Sequence, residues 1–175
     1  MRHNEFDREM TPAPRERKTK TADEALQSLM RLAARAERSS GDALRLMRTW
    51  GVAECDRQKV LQTLIEQRFI DDRRYADAYV RDKSRLAGWG ARKIAINLRQ
   101  KGVAQSIIDD ALQQIDNEAL ADRLADRLSR KAKSIKASND YEFRAKLIRY
   151  GLSLGCDYET IENALNTLKG NTTNW

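Results

Sequence analysis

The residue types that do chemistry are sparse and poorly spaced for catalysis. The one histidine is His3, and the two cysteines, Cys55 and Cys156, are far apart and form no CxxC pair. Nothing here supports a zinc site or a disulfide framework. Cys55 reads as a loop residue and Cys156 as a small filler beside a helix. Asp71 and Asp72 are adjacent carboxylates and could serve a metal or acid–base chemistry. At a helix start, capping is the favoured reading, because a carboxylate there stabilises the free N–H groups by about 1 kcal/mol. Glycine-rich phosphate loops are absent from the sequence, so no nucleotide-hydrolysis site is expected.

The basic residues are more informative. Lys plus Arg number 33 against 26 acids, a formal net charge of +7. The excess is modest, but the charges segregate. Arg81, Lys83, Arg85, Arg92, Lys93, Arg99 and Lys101 share their stretch with one acid, Asp82. Arg127, Arg130, Lys131, Lys133 and Lys136 share theirs with none. A run of charge is most often a solvated helix face. Two such runs beside acidic segments favour a phosphate-binding surface. The second run also fits the basic end of a helix, where the dipole favours cations. Arg92 and Arg99 are seven apart on one side of a short helix whose Ile94 and Leu98 face inward. The N–H groups after Gly90 are expected to add a phosphate-favouring dipole. Trp89, between Gly88 and Gly90, fits either a plug in a seam or an anchor against nucleic acid. Tyr75 and Tyr79 share a face and read as core rather than as base-stacking platforms.

These side chains must be positioned by helices. The chain has 175 residues, 41% hydrophobic, with eight Gly and two Pro, too few turn formers for an all-β domain. No stretch reaches the roughly 18 apolar residues of a membrane span. The N-terminus lacks an apolar h-region, so a cytoplasmic location is expected. Residues 1–22 are polar and basic and read as a flexible tail, and residues 169–175 as a loose C-terminus. Between them, apolar spacing and cap signals predict nine helices. Thr21-Ala22-Asp23-Glu24 is a capping box ahead of Leu26, Leu29, Ala33 and Ala36. Ser39 or Ser40 opens a second helix, Asp71 or Asp72 a fourth that carries Tyr75, Tyr79 and Leu86. A seventh runs from about Asn117 past Leu128 to Ile135, and Asn139 with Glu142 opens an eighth.

The helices repeat in threes. Gly51, Gly102 and Gly155 are separated by 51 and 53 residues. Ten residues after each stands Leu61, Leu112 or Leu165, and thirteen after stands Leu64, Ile115 or Leu168. Glycine at these points suits a left-handed helix end. The expected fold is all-α: three tandem three-helix repeats over residues 23–70, 71–116 and 117–168, forming an elongated, curved array. Such an array suits an extended partner better than a small substrate.

The central stretch reads Phe69-Ile70-Asp71-Asp72-Arg73-Arg74-Tyr75-Ala76, then Tyr79-Val80-Arg81, Gly88-Trp89-Gly90, Lys93-Ile94, Leu98 and Lys101-Gly102-Val103. In this order the segments resemble the second repeat of the RecX family, regulators of the bacterial recombinase RecA. Ala36-Glu37, Ser39, Arg48 and Trp50-Gly51-Val52 extend the resemblance to the first repeat. Lys146, Arg149 and Tyr150-Gly151 carry it more weakly into the third. Ala91 departs from the family, whose members often have Pro there, and the Gly-Trp-Gly turn sits a residue later than in many. The resemblance implies a non-enzymatic regulator without cofactors. Such a protein binds RecA–DNA filaments, inhibits their growth, strand exchange and ATP hydrolysis, and binds single- or double-stranded DNA itself. A monomer without membrane attachment is expected. The rival reading is a helix-turn-helix-type DNA-binding protein acting alone. A helical adaptor for acidic proteins also stays open.

Overall fold

The computed structural model describes residues 19–171. Nine helices and no strands are present among them. They are α1 (Ala22–Ala33), α2 (Ser40–Thr49), α3 (Glu54–Glu66), α4 (Asp72–Arg85), α5 (Ala91–Gln100), α6 (Gln105–Leu112), α7 (Asn117–Ala132), α8 (Asp140–Ser153) and α9 (Tyr158–Asn171). Local chemistry sets the helix starts. Thr21 closes the capping box with Glu24. Ser39, rather than Ser40, accepts from the Asp42 N–H. Asp71, rather than Asp72, accepts from the N–H groups of Arg73 and Arg74. Asp116 and Asn139 cap α7 and α8 through Ala119 and Glu142. Gly51, Gly102 and Gly155 have φ of +69°, +76° and +83°, so each ends a second helix in the left-handed region.

Helices pack closely only with partners from their own triplet. Three separate cores result. Leu29, Met47, Leu64 and Ile70 lie in the first, Val80, Ile94, Leu98 and Ile108 in the second, and Leu124, Leu128, Leu147 and Ile161 in the third. Each core joins residues from all three helices of its triplet, so no triplet can lose a helix without exposing its apolar face.

The triplets are joined end to end through their second helices. The N-terminus of α2 sits on the C-terminal turn of α5. There the Ser39 hydroxyl donates to the Lys101 carbonyl at 2.6 Å. A Cβ on Gly41 would lie 2.3 Å from that same oxygen. The N-terminus of α5 sits likewise on the C-terminal turn of α8. Gly90 N–H donates to the Leu154 carbonyl at 2.8 Å and Arg92 N–H to the Gly155 carbonyl at 3.3 Å. A Cβ on Gly90 would lie 2.3 Å from the Gly155 oxygen. At both joints the carbonyl just before the left-handed glycine, on Lys101 or Leu154, is an acceptor, and at the second joint the carbonyl of Gly155 itself is another. The third such carbonyl, on Trp50, accepts from Lys20 N–H at 2.9 Å, and Lys20 Nζ lies 3.8 Å over the Trp50 ring. Thr19 and Lys20 thus occupy, on the first triplet, the place that a preceding helix end takes on the other two.

Four local expectations are corrected. Leu86 ends α4 as its C-cap and is 83% exposed, because the chain turns outward there toward Gly88. Ala36 and Ile135 lie beyond the ends of α1 and α7. Cys55 is in the first turn of α3, not in a loop, and is exposed. Residues 19–22, read as the end of the tail, pack on the first triplet, and the rest of that tail lies outside the described residues.

Candidate nucleic-acid and filament interface

Helix α4 carries Arg81 and Arg85 four residues apart, on one face. Both are exposed. Helix α7 carries Arg123, Arg127 and Arg130 at four- and three-residue spacing, again on one face. The two arginine faces meet at the boundary between the second and third triplets. A cleft of about 290 Å³ lies there, lined by Arg81, Arg85, Ser84, Gln114, Asp116 and Arg123, among others. Arg123 is absent from the residues that charge runs single out, because Asp122 and Asp126 flank it in sequence. Its spacing to Arg127 and Arg130 is the signal that marks it.

The other predicted residues divide by their contacts. Arg92 is exposed at the start of α5, but the N–H groups of that helix end are not free. Gly90 and Arg92 donate them to the end of α8, so the expected phosphate-favouring helix terminus is closed by protein. Lys93 is half-buried, donates to the Ser153 carbonyl at 3.2 Å and lies 4.4 Å over Trp89. Lys83 flanks the same ring at 5.2 Å. Trp89 packs against the second core and donates its backbone N–H to the Lys83 carbonyl. Arg127 lies over Gly88, where an added Cβ would be 3.1 Å from its Nε. Trp89, Lys83, Lys93 and Arg127 therefore gather around the joint between α5 and α8.

Lys101 belongs to the other joint. Its ammonium reaches both oxygens of the largely buried Asp42 at 3.3 Å. Arg99 donates to the Gln105 side chain at 2.7 Å. Arg130, Lys131 and Lys133 are exposed toward the end of α7, with Lys131 lying 5.7 Å over Tyr150. Tyr75 and Tyr79 stack at 5.9 Å between centroids, and burial pushes both phenols above their ordinary range. Burial also pushes the Cys156 thiol up to about 11, and a lesser push comes from the Asp157 charge. A thiol so placed is a poor nucleophile at neutral pH. Among the described residues, no three metal-capable side chains gather at one point. No helix among them is long and apolar enough to cross a membrane.

A family model described as RecX, second three-helix domain, matches residues 71–112. Curated relatives named "Regulatory protein RecX" match a longer stretch. The one from Clostridium tetani is 34% identical over 63% of this chain and 51% of its own length, and that from Clostridium perfringens 34% over 69% and 57%. The chain belongs to the RecX family. Solved RecX structures extend the likeness beyond the central triplet. RecX from Lactobacillus salivarius superposes with a TM-score of 0.75 at 20% identity, covering 85% of this chain and 96% of that one. A second RecX structure gives 0.72 at 26% identity, covering 83% and 71%. The first shows the shared fold. The chain spans about half the length of the curated RecX relatives it matches.

Proposed function

We propose that this RecX-family chain is a non-enzymatic, cytoplasmic regulator that binds RecA–DNA filaments. It inhibits filament growth, strand exchange and ATP hydrolysis, and binds DNA weakly on its own. The observation that carries the reading is the tandem build: three separate cores linked end to end, with arginines from two triplets lining one open cleft. An array of this kind meets a long polymer over many small contacts rather than enclosing a metabolite. The monomer lies as a curved rod along the filament groove. Its basic faces neutralise phosphate or meet acidic protein loops, and the bound rod blocks addition of the next recombinase subunit.

The helix-turn-helix alternative is less well supported. That mode presents the N-terminal residues of a recognition helix to base edges. In α2 and α5 those ends are buttressed by the turns at Lys101 and Gly155. A pull-down on recombinase–DNA filaments, paired with DNA-dependent ATPase assays, tests the proposal. Binding with inhibition is expected. Neither effect at micromolar protein removes it. Sequence-preferring duplex binding that survives moderate salt would favour the alternative.

A further inference from the structure

The cleft between α4 and α7 differs from a mere basic surface. Arg81 and Arg85 reach it from the second triplet and Arg123 from the third. Arg85 has no carboxylate partner among the described residues, and Arg81 Nε comes only within 3.8 Å of its neighbour Asp82. Arg123 is half-buried, and one terminal guanidinium nitrogen donates to the Ala119 carbonyl in its own helix at 3.2 Å, which holds the group at the wall with its other N–H groups left over. The one carboxylate in the lining, Asp116, accepts from the Ala119 N–H at 3.0 Å as the cap of α7. Three guanidinium groups therefore face one capped carboxylate.

The chemistry that fits is a tetrahedral oxyanion. Guanidinium groups offer paired N–H donors in a planar fork that matches phosphate oxygens. The lining contains no aromatic ring, so there is no platform on which a base could stack. The cleft is open to solvent along the exposed Arg81 and Arg85, so a polymer can pass across it. A site of this kind reads the sugar–phosphate backbone and ignores sequence.

We propose that this cleft seats a phosphodiester group of DNA, held by Arg81, Arg85 and Arg123. The proposal rests on the reading that the protein acts on a DNA-bearing filament, and names the group that it grips there. It also gives the joint between the second and third triplets a second task, since the ligand bridges α4 and α7.

Fluorescence anisotropy with a labelled single-stranded oligonucleotide across a salt series tests this. The variants are Arg85→Gln alone and the triple Arg81→Gln, Arg85→Gln, Arg123→Gln. Arg48→Gln, an exposed change on α2, is the control. The triple variant is expected to bind about tenfold or more weakly. Its log–log salt slope should fall by about 0.7, the contribution of one neutralised phosphate on a single strand. Arg48→Gln should match wild type. If circular dichroism shows the triple variant misfolded, Arg85→Gln decides, with an expected several-fold loss of affinity at low salt that shrinks as salt rises. Unchanged affinity and slope in a folded variant overturn the proposal. So does displacement of the DNA by polyglutamate at equal charge concentration, which would assign the cleft to acidic protein. ATPase inhibition by the same wild-type preparation separates the two levels. Inhibition without any DNA binding removes the phosphate site alone, whereas no inhibition and no filament binding remove the regulatory reading.

Discussion

At the boundary between the first two triplets, a cleft of about 520 Å³ is lined by Glu37, Asp71, Arg73, Arg74, Asp77 and Arg81, among others, with Arg81 reaching the next boundary as well. Arg74 pairs there with Glu37 at 2.6 Å, and Arg73 reaches Asp110 at 3.1 Å. At the next boundary, the corresponding cleft holds Arg81, Arg85 and Arg123 against Asp116. The backbone joints beside the two clefts follow one plan, with a helix N-terminus seated on the turn before a left-handed glycine. The difference lies in the side chains. The first boundary pairs its own Arg73 and Arg74 within the protein, which serves cohesion. The second adds Arg85 and Arg123 with one capped carboxylate opposite, the charge that the proposed phosphate would meet. A repeated scaffold thus fixes where clefts occur, and a few acid-for-base differences set the charge that each one carries.

Changes at the shared backbone plan are expected to have the largest effect. In Gly155→Ala, the residue would have to hold φ +83° with its Cβ 2.4 Å from the Cβ of Lys93. The left-handed strain and the overpacking together should cost about 3 kcal/mol, read by urea denaturation. Gly102→Ala should cost about 2 to 3 kcal/mol, because its Cβ would meet the Gly41 Cα at 2.8 Å. Gly51→Ala should be milder, at about 1 to 2 kcal/mol, since its Cβ meets the movable Thr19 side chain. Equal costs at all three would mean that the tail segment is as rigid a buttress as a helix end.

A second contrast concerns Asp42. It is largely buried, pairs with Arg45, and holds Lys101 across the first joint. No equivalent ion pair crosses the second joint among the described residues. Lys101 keeps about a third of its side chain exposed, so solvent weakens the pair. Asp42→Asn should therefore cost about 1 to 2 kcal/mol, less than a fully buried pair would. Thermal melts should show the loss, and hydrogen exchange should place it in the first two triplets. Protection lost first in α8 would contradict the assignment of this pair to the first joint.

The smallest expected effect lies at the far end of the array. Glu142 lies in the first turn of α8, where bonds from Lys146 and from the Ser138 backbone hold its carboxyl down to about 2. A carboxylate lowered on folding contributes stability that is complete above its ordinary range. That contribution fades as the pH falls from about 4.5 toward about 2. Glu142→Gln should flatten this acid-range dependence slightly and leave stability at neutral pH nearly unchanged. A flattening as large as that from a core change would contradict its exposed setting.

Much of this was legible in the residues because the signals are local. Thr21, Ser39, Asp71 and Asn139 mark helix starts by their own side-chain oxygens. Gly51, Gly102 and Gly155 mark helix ends by a conformation other residues resist. What stayed hidden depends on partners distant in the chain. The N–H groups of Gly90 and Arg92 look available until the turn at Leu154 and Gly155 is brought against them. Lys101 looks like a surface cation until Asp42 is placed beside it. Arg123 looks neutralised by Asp122 and Asp126 in sequence, although its guanidinium pairs with neither and donates to the Ala119 carbonyl instead.

The most direct test compares the two clefts on the assembled target. Wild type, Arg85→Gln and Arg73→Gln are titrated onto recombinase–DNA filaments at fixed salt, with binding read by anisotropy or co-sedimentation. Each variant removes one positive charge from an exposed arginine, Arg85 at the second boundary and Arg73 at the first. The account predicts that Arg85→Gln weakens binding several-fold and that Arg73→Gln leaves it unchanged. Equal losses, a greater loss from Arg73→Gln, or no filament binding by the wild type would contradict it.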